Sequence, residues 1–273
     1  MPLNLSSFIL GICIGSFINV IVYRFPLNKS VIQPRSFCPS CKNKILPINN
    51  IPILSWIFLR GKCKFCKTRI SIEYPLVELL TGILFLIFSY SDSTKYLYIE
   101  QNIFIVFTWI LITLFLPLVI LDYKYFWLPN ALTNLLSIVV IAFLSIYSLI
   151  TVNENGLVIF FSHLGTALSI FIIFRLIMFS GYLIYGKKIM GDGDTKLIFI
   201  LGILLGPSGI LIALFLTFNL AGLTCFILLS CKKLKKGDVI PLGPYIIFSG
   251  MSVWLFGDNF FLEIYDHLIG FTS

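Results

Sequence analysis

The sequence predicts an all-α polytopic membrane protein of about eight transmembrane helices. Its N-terminus is placed outside, and a small zinc-binding cytoplasmic loop domain sits between spans 1 and 2. Three observations predict this class. Mean hydropathy is +0.99 and 58% of the 273 residues are hydrophobic, more apolar surface than a water-soluble domain can hide. The apolar residues fall in long runs separated by polar connections. The basic residues alternate along those connections as the positive-inside rule requires. The net charge of +8 therefore reads as topology. Membrane lipid is an expected partner and nucleic acid is not, since no RNA-type aromatic motif accompanies the charge.

The first run, Leu5 to Val22, is long enough to span a bilayer. It lacks the cationic region and cleavage site of a removable signal, so it is expected to stay as an anchor. Gly11 and Gly15 within it have the spacing that lets a second helix approach closely. Arg24 and Pro26 end the run. Residues 24–74 form the one large hydrophilic region, with ten of the 20 Lys and Arg and a single acid, Glu73. The expected domain division is 1–23, first span; 24–74, cytoplasmic loop domain; 75–273, membrane-embedded domain.

Later runs are Pro75 to Phe88, carrying Glu78; Ile103 to Leu121, ending at Asp122; and Ala131 to Ile150, where Pro129 suits a helix start. Leu157 to Leu183 follows, with Arg175 toward its far end. Leu197 to Leu229 is too long for one span and is broken at Gly206-Pro207-Ser208-Gly209, giving a short helix and a full one. Tyr245 to Phe256 is the last, for a total of eight. If the 24–74 loop is cytoplasmic, strict alternation places 18 of the 20 basic residues on that side. Arg175 lies inside a helix, and only Lys95 falls in an outside loop.

This topology gives the scarce acids a meaning. Only 12 Asp and Glu occur in the chain. Asp122 ends the third span, and Asp192 and Asp194 precede the sixth, at the same cytoplasmic face. Carboxylates at a membrane edge are costly and call for an explanation. Each could simply mark a helix end. Two that converge, however, are what acid-base activation of a water needs, one ionised and the other protonated, because like charges held close share a proton.

Cys38-Pro-Ser-Cys41 and Cys63-Lys-Phe-Cys66 are two Cys-x-x-Cys knuckles. Four thiolates in two close pairs match a tetrahedral structural zinc site. A reducing cytoplasm disfavours disulfides, and a redox role would need only one such pair. Cys13, Cys225 and Cys231 lie in or beside apolar runs and are expected to pack there.

Six motifs, in order, carry a resemblance. They are Gly11-x-x-x-Gly15-Ser16-Phe17-x-Asn19-Val20 with Arg24-x-Pro26; Cys38 to Cys41 with Asn50-Ile51-Pro52-Ile53-x-Ser55-Trp56 and Arg60-Gly61-x-Cys63-x-x-Cys66; Ile70-Ser71-x-x-Tyr74-Pro75-x-Val77-Glu78; Asp122 with Leu128-Pro129-Asn130-x-Leu132-Thr133; Gly191-x-Gly193-Asp194-x-Lys196-Leu197; and Pro241-x-Gly243-Pro244-Tyr245. Together they resemble the type IV prepilin peptidases over nearly the whole chain.

That resemblance implies Asp122 and Asp194 as the catalytic pair of a GxGD-type aspartyl protease, with Asp192 at a variable position. Gly191, Gly193, Lys196 and Pro129 are implied as motif support. The implied reaction removes a short basic leader from prepilins or pseudopilins at the cytoplasmic face of the bacterial inner membrane. Methylation of the new N-terminus with S-adenosylmethionine follows in many members, and the four cysteines favour that bifunctional form. Glu73 stands where the family usually carries arginine. The alternatives are a peptidase without methylation, a proton-coupled transporter using Asp122, Asp194, Glu78 and Arg175, or a non-enzymatic scaffold with a zinc loop.

Overall fold

A computed structural model describes residues 3–90, 101–150, 156–186, 190–235 and 238–269. Lys95, Lys187, Lys188 and Lys236, used above for the charge pattern, lie outside the described residues. Among the described residues the regular structure is helical, apart from two isolated bridges, Phe37 with Lys44 and Lys62 with Arg69.

The helices are α1 (Leu3–Arg24), α2 (Leu54–Phe58), α3 (Glu73–Phe88), α4 (Gln101–Tyr125), α5 (Asn130–Ile150), α6 (Gly156–Tyr185), α7 (Asp192–Ser230), α8 (Gly243–Phe256) and α9 (Asp258–Ile269). They fall into two compact units. One holds α1 to α3 and α4 as far as Pro117; the other holds the rest of α4 through α9.

In the first unit α1 and α3 pack through glycine. A Cβ on Gly11 would lie 2.8 Å from the Gly82 Cα, and one on Gly15 would lie 2.6 Å from the Glu78 Cα. The small-residue spacing in α1 is thus a helix contact, allowing backbones to touch where lipid supplies no hydrophobic drive. Arg24, 4% exposed, ends α1 by turning back on the chain. Its guanidinium donates to the carbonyls of Ser30, Val31 and Pro34 at 2.6–3.1 Å. Trp109 on α4 stacks on Phe85 at 5.2 Å and donates its indole N–H to the Phe85 carbonyl.

In the second unit α7 is central, packed against α5, α6 and α8. It breaks at Gly206, whose φ of 69° and ψ of −168° favour glycine, and Pro207 follows. The segment from Asp192 to Leu205 is buried along most of its length, and His163 of α6 closes on the break, its ring within 2.6 Å of where a Gly206 Cβ would stand.

Among the described residues, five helices are long and apolar enough to cross a membrane, or six if α8 and α9 count as one bent span. The expectation of eight also counts α3 and takes the two halves of α7 separately. At 16 residues, α3 is about 24 Å long, shorter than a bilayer core of about 30 Å. Two differences from the sequence expectation concern boundaries. The Gly-Asp stretch is the first turn of α7, not a connection ahead of it, because acids suit a helix N-terminus and nothing breaks the chain before Leu197. The helix α9, bent 94° from α8, was not expected, since it continues the last apolar run with mixed polarity.

Replacing Gly15 with Val is expected to force α1 from α3 and cost about 1–3 kcal/mol, as overpacking does. It would appear as a lower thermal midpoint of the detergent-solubilised protein. An unchanged midpoint would contradict this contact.

Candidate active site and cysteine centre

Asp122 lies in the last turn of α4. The helix ends just beyond it, where Phe126 takes a φ of 53° and its N–H bonds the Asp122 carbonyl. A short connection, residues 126–129, then leads to α5. The Pro129 carbonyl accepts the N–H groups of Leu132 and Thr133 there, so Pro129 sits just ahead of the helix it was expected to start. The Asp122 side chain is 5% exposed. It accepts one backbone hydrogen bond, from Gly243 N–H to Oδ2 at 2.9 Å. Gly243 opens α8, and a Cβ there would lie 2.6 Å from that same oxygen. The third glycine of this site is therefore required by close approach to the carboxylate.

Asp194 is carried by the first turn of α7, buried at 9% exposure, with its N–H on the Gly191 carbonyl at 3.2 Å. A Cβ on Gly191 would stand 3.0 Å from Asp194 Oδ2. Gly193 faces Leu128, whose side chain would meet a Cβ at 2.8 Å. The two glycines thus let the first turn of α7 close on its own carboxylate and on the α4–α5 connection. Lys196 fastens the same junction by donating to Asn130 Oδ1 at 2.6 Å. Asp122 and Asp194 are within electrostatic reach of each other.

Asp192 goes elsewhere. It is exposed and pairs with Arg175 of α6 at 2.8 Å, while that guanidinium lies over the Phe171 ring at 5.2 Å. The structure therefore separates the two acids of the stretch by burial and partner. Gly243, Leu128 and Asn130 had no individual role in the sequence expectations, and Arg175 entered them only as part of the transporter alternative's ion path. For Gly243, Leu128 and Asn130 a signal existed, since all three belong to the motifs that carry the resemblance.

The loop between α1 and α3 brings the four cysteines together. The Sγ atoms of Cys38, Cys41, Cys63 and Cys66 all lie within 4.8 Å of one another, and those of Cys38 and Cys66 are 3.8 Å apart. A zinc with four ligands at about 2.3 Å separates its sulfurs by about 3.8 Å, so the cluster fits a tetrahedral ion. Two matched turns build it. The N–H of Lys42 bonds the Cys38 carbonyl and that of Lys67 the Cys63 carbonyl, and both lysines take φ near 60°. The Cys41 N–H holds the Cys38 thiol below its ordinary value. The Thr68 hydroxyl brings Cys66 down to about 6. The Asn43 N–H pulls the Cys41 thiol down, but desolvation and the neighbouring thiols outweigh it and push Cys41 up to about 11. The shifts of Cys38 and Cys66, and not that of Cys41, therefore favour the thiolates that a metal needs. Trp56 supplies the loop's core, packed over Gly61 with its N–H on the Ile70 carbonyl at 3.2 Å.

Comparison with known proteins places this architecture. Residues 105–227 match the family model described as the type IV leader peptidase family, and residues 9–91 match the bacterial peptidase A24 N-terminal domain. A protein of Neisseria gonorrhoeae named prepilin leader peptidase/N-methyltransferase is 31% identical, covering 92% of this chain and 90% of its own length. The chain belongs to the type IV leader peptidase family.

Relatives of the same name occur in Stutzerimonas stutzeri, 29% identical over 93% of this chain and 91% of the relative, and in Myxococcus xanthus, 34% identical over 71% of this chain. The chain spans about half the Myxococcus protein, 54% of its length. No solved structure matches. Family membership makes the chain a peptidase, and the two family matches together run from the first turns of α1 to the last turn of α7.

A Gly243→Ala substitution is expected to push the Asp122 carboxylate from its place and lower leader-peptidase turnover by about 100-fold, the scale of a 1 Å misplacement. Wild-type turnover in that variant would show that the Gly243 contact does not position Asp122.

Proposed function

We propose that this chain is a membrane-embedded aspartyl endopeptidase that cuts the basic leader from type IV prepilins or pseudopilins at the cytoplasmic membrane face. It then methylates the new N-terminus with S-adenosylmethionine. The observation that carries the reading is that the first turn of α7, bearing Asp194, packs on the connection that follows Asp122, through Gly193 against Leu128 and Lys196 on Asn130, with both carboxylates buried. In the cut, one carboxylate takes a proton from water while the other, protonated, polarises the scissile carbonyl. The water oxygen bonds to the carbonyl carbon, and the C–N bond breaks with its electron pair staying on nitrogen. That nitrogen takes a proton; the leader ends in a carboxylate and the new chain begins with a free amino group. Methylation is supported by the names of the relatives and by the presence of all four cysteines.

The proposed topology is eight spans with the N-terminus outside, in the bacterial inner membrane. Its divisions are 1–23 as the first span, 24–74 as the cytoplasmic loop domain and 75–273 as the peptidase domain. Internal geometry supports the alternation. Asp122 with Gly243, Lys196 with Asn130 and Arg175 with Asp192 gather at one end of the second unit. Ser208 with Asp258 and His163 with the Ile203 carbonyl lie at the other. The positions of Asp122 at the end of α4 and Asp194 at the start of α7 support a site at span ends over one at the midplane, where an ion path would place it. Cys38, Cys41, Cys63 and Cys66 would hold one structural zinc, tying two knuckles of a loop that has little core of its own.

Two experiments test this. Asp122→Ala and Asp194→Ala, made separately in cells producing a tagged prepilin, are each expected to lower leader removal by about 1,000-fold or more, the scale of lost acid-base catalysis. Asp192→Ala retains it. Processing that survives either of the first two changes overturns the aspartyl mechanism. Cys38→Ser is expected to reduce bound zinc in the purified protein from about one ion per chain to near none, since a structural site closes on four ligands. Unchanged zinc content would sink the four-cysteine assignment.

A further inference from the structure

Glu78 is a carboxylate that peptide cleavage does not use. It sits on α3, 8% exposed, where Gly15 of α1 meets its backbone. Its Oε2 accepts the Ile53 N–H at 2.7 Å, and the Ser16 hydroxyl is hydrogen-bonded to the same carboxylate. One turn earlier, Asn19 of α1 donates to the Tyr74 carbonyl at 3.0 Å. Among the described residues, no Lys, Arg or His side chain pairs with Glu78.

The backbone that reaches Glu78 is strained. Ile53 has φ 61° and ψ −55°, and the Leu54 N–H bonds the Pro52 carbonyl at 2.6 Å. This is the three-residue γ-turn with positive φ, a rare geometry, and a β-branched residue at its centre is an outlier. Such strain persists where the surroundings enforce it, and it gathers at functional sites. Here it aims one N–H at one carboxylate. A simple tether between loop and helix would need only a neutral acceptor. A buried carboxylate with two neutral donors and no cation still lacks its counter-charge.

We propose that Glu78 is the receptor for the primary ammonium group that leader removal creates at the start of the mature pilin. This inference rests on the proposed methyl transfer. The charge of the ammonium completes the site. Its N–H groups give the carboxylate the donors that a sulfonium lacks. One proton passes from the ammonium to the Glu78 carboxylate, leaving a neutral amine. The nitrogen lone pair then forms the N–C bond to the methyl group of a sulfonium donor. The C–S bond pair stays on sulfur, which leaves as a neutral thioether. The product is a methylated ammonium.

The test uses full-length protein in detergent with a purified prepilin and S-adenosylmethionine, read by mass spectrometry of the pilin N-terminus. Glu78→Gln keeps an acceptor for Ile53 N–H and removes the charge. The expected result is leader removal within about 2-fold of wild type and methylation lower by about 100-fold, the scale of a lost general base. Zinc content and the affinity for S-adenosylmethionine alone, by titration calorimetry, stay unchanged, and Glu78→Asp restores part of the methylation. Wild-type methylation in Glu78→Gln overturns the proposal. So does loss of donor binding, which would assign the residue to the sulfonium, and so does an equal loss of both activities, which would make its role structural. A wild-type product without a methyl group overturns the methyl-transfer reading and this inference with it.

Discussion

Two carboxylates repel each other when both are ionised, and burial away from water strengthens that repulsion. They stay together only where backbone and packing hold each one, and most of the second unit follows from this constraint. Asp122 is held by the Gly243 N–H at the start of α8. Asp194 is held in the first turn of α7, where the helix N-terminus favours negative charge. Glycines stand at each point of contact because a Cβ would strike a carboxylate or the Leu128 side chain. The Lys196 bond to Asn130 then fastens α7 to the start of α5. The break at Gly206 lets α7 continue past this rigid segment without extending its direction.

The first unit answers a different problem. A basic loop between two helices has too few apolar residues to fold by burial, so it is organised by polar closure. Arg24 collects three carbonyls at its entrance, and the four cysteines converge at its centre. Glu78 takes up the strained turn at Ile53. Each is an interaction that a soluble domain would spread over a hydrophobic core.

Much of this was legible in the chain itself. The apolar runs gave the helices, and the scarcity of acid made Asp122 and Asp194 conspicuous. The paired Cys-x-x-Cys spacing gave the four-cysteine cluster, and Gly11 and Gly15 gave the α1–α3 contact. What the sequence could not give was partnership. Asp192 and Asp194 look alike in the chain and differ only in what folds against them, Arg175 for one and the buried end of α7 for the other. Gly243 lies 121 residues from Asp122, and no local pattern links a backbone N–H to a distant carboxylate. The number of spans meets the same limit. Whether α3 or half of α7 crosses a bilayer depends on neighbours that cover a short helix, and hydropathy does not record neighbours.

The central claim is that Asp122 and Asp194 form one catalytic unit. The most direct measurement is the residual rate of leader removal in Asp122→Asn, Asp194→Asn and the double variant, with purified protein and a prepilin. Groups that act as a unit are non-additive. The account predicts that the double variant is as slow as either single one. A double variant slower by the product of the two single effects, or a single variant with the wild-type rate, would contradict it.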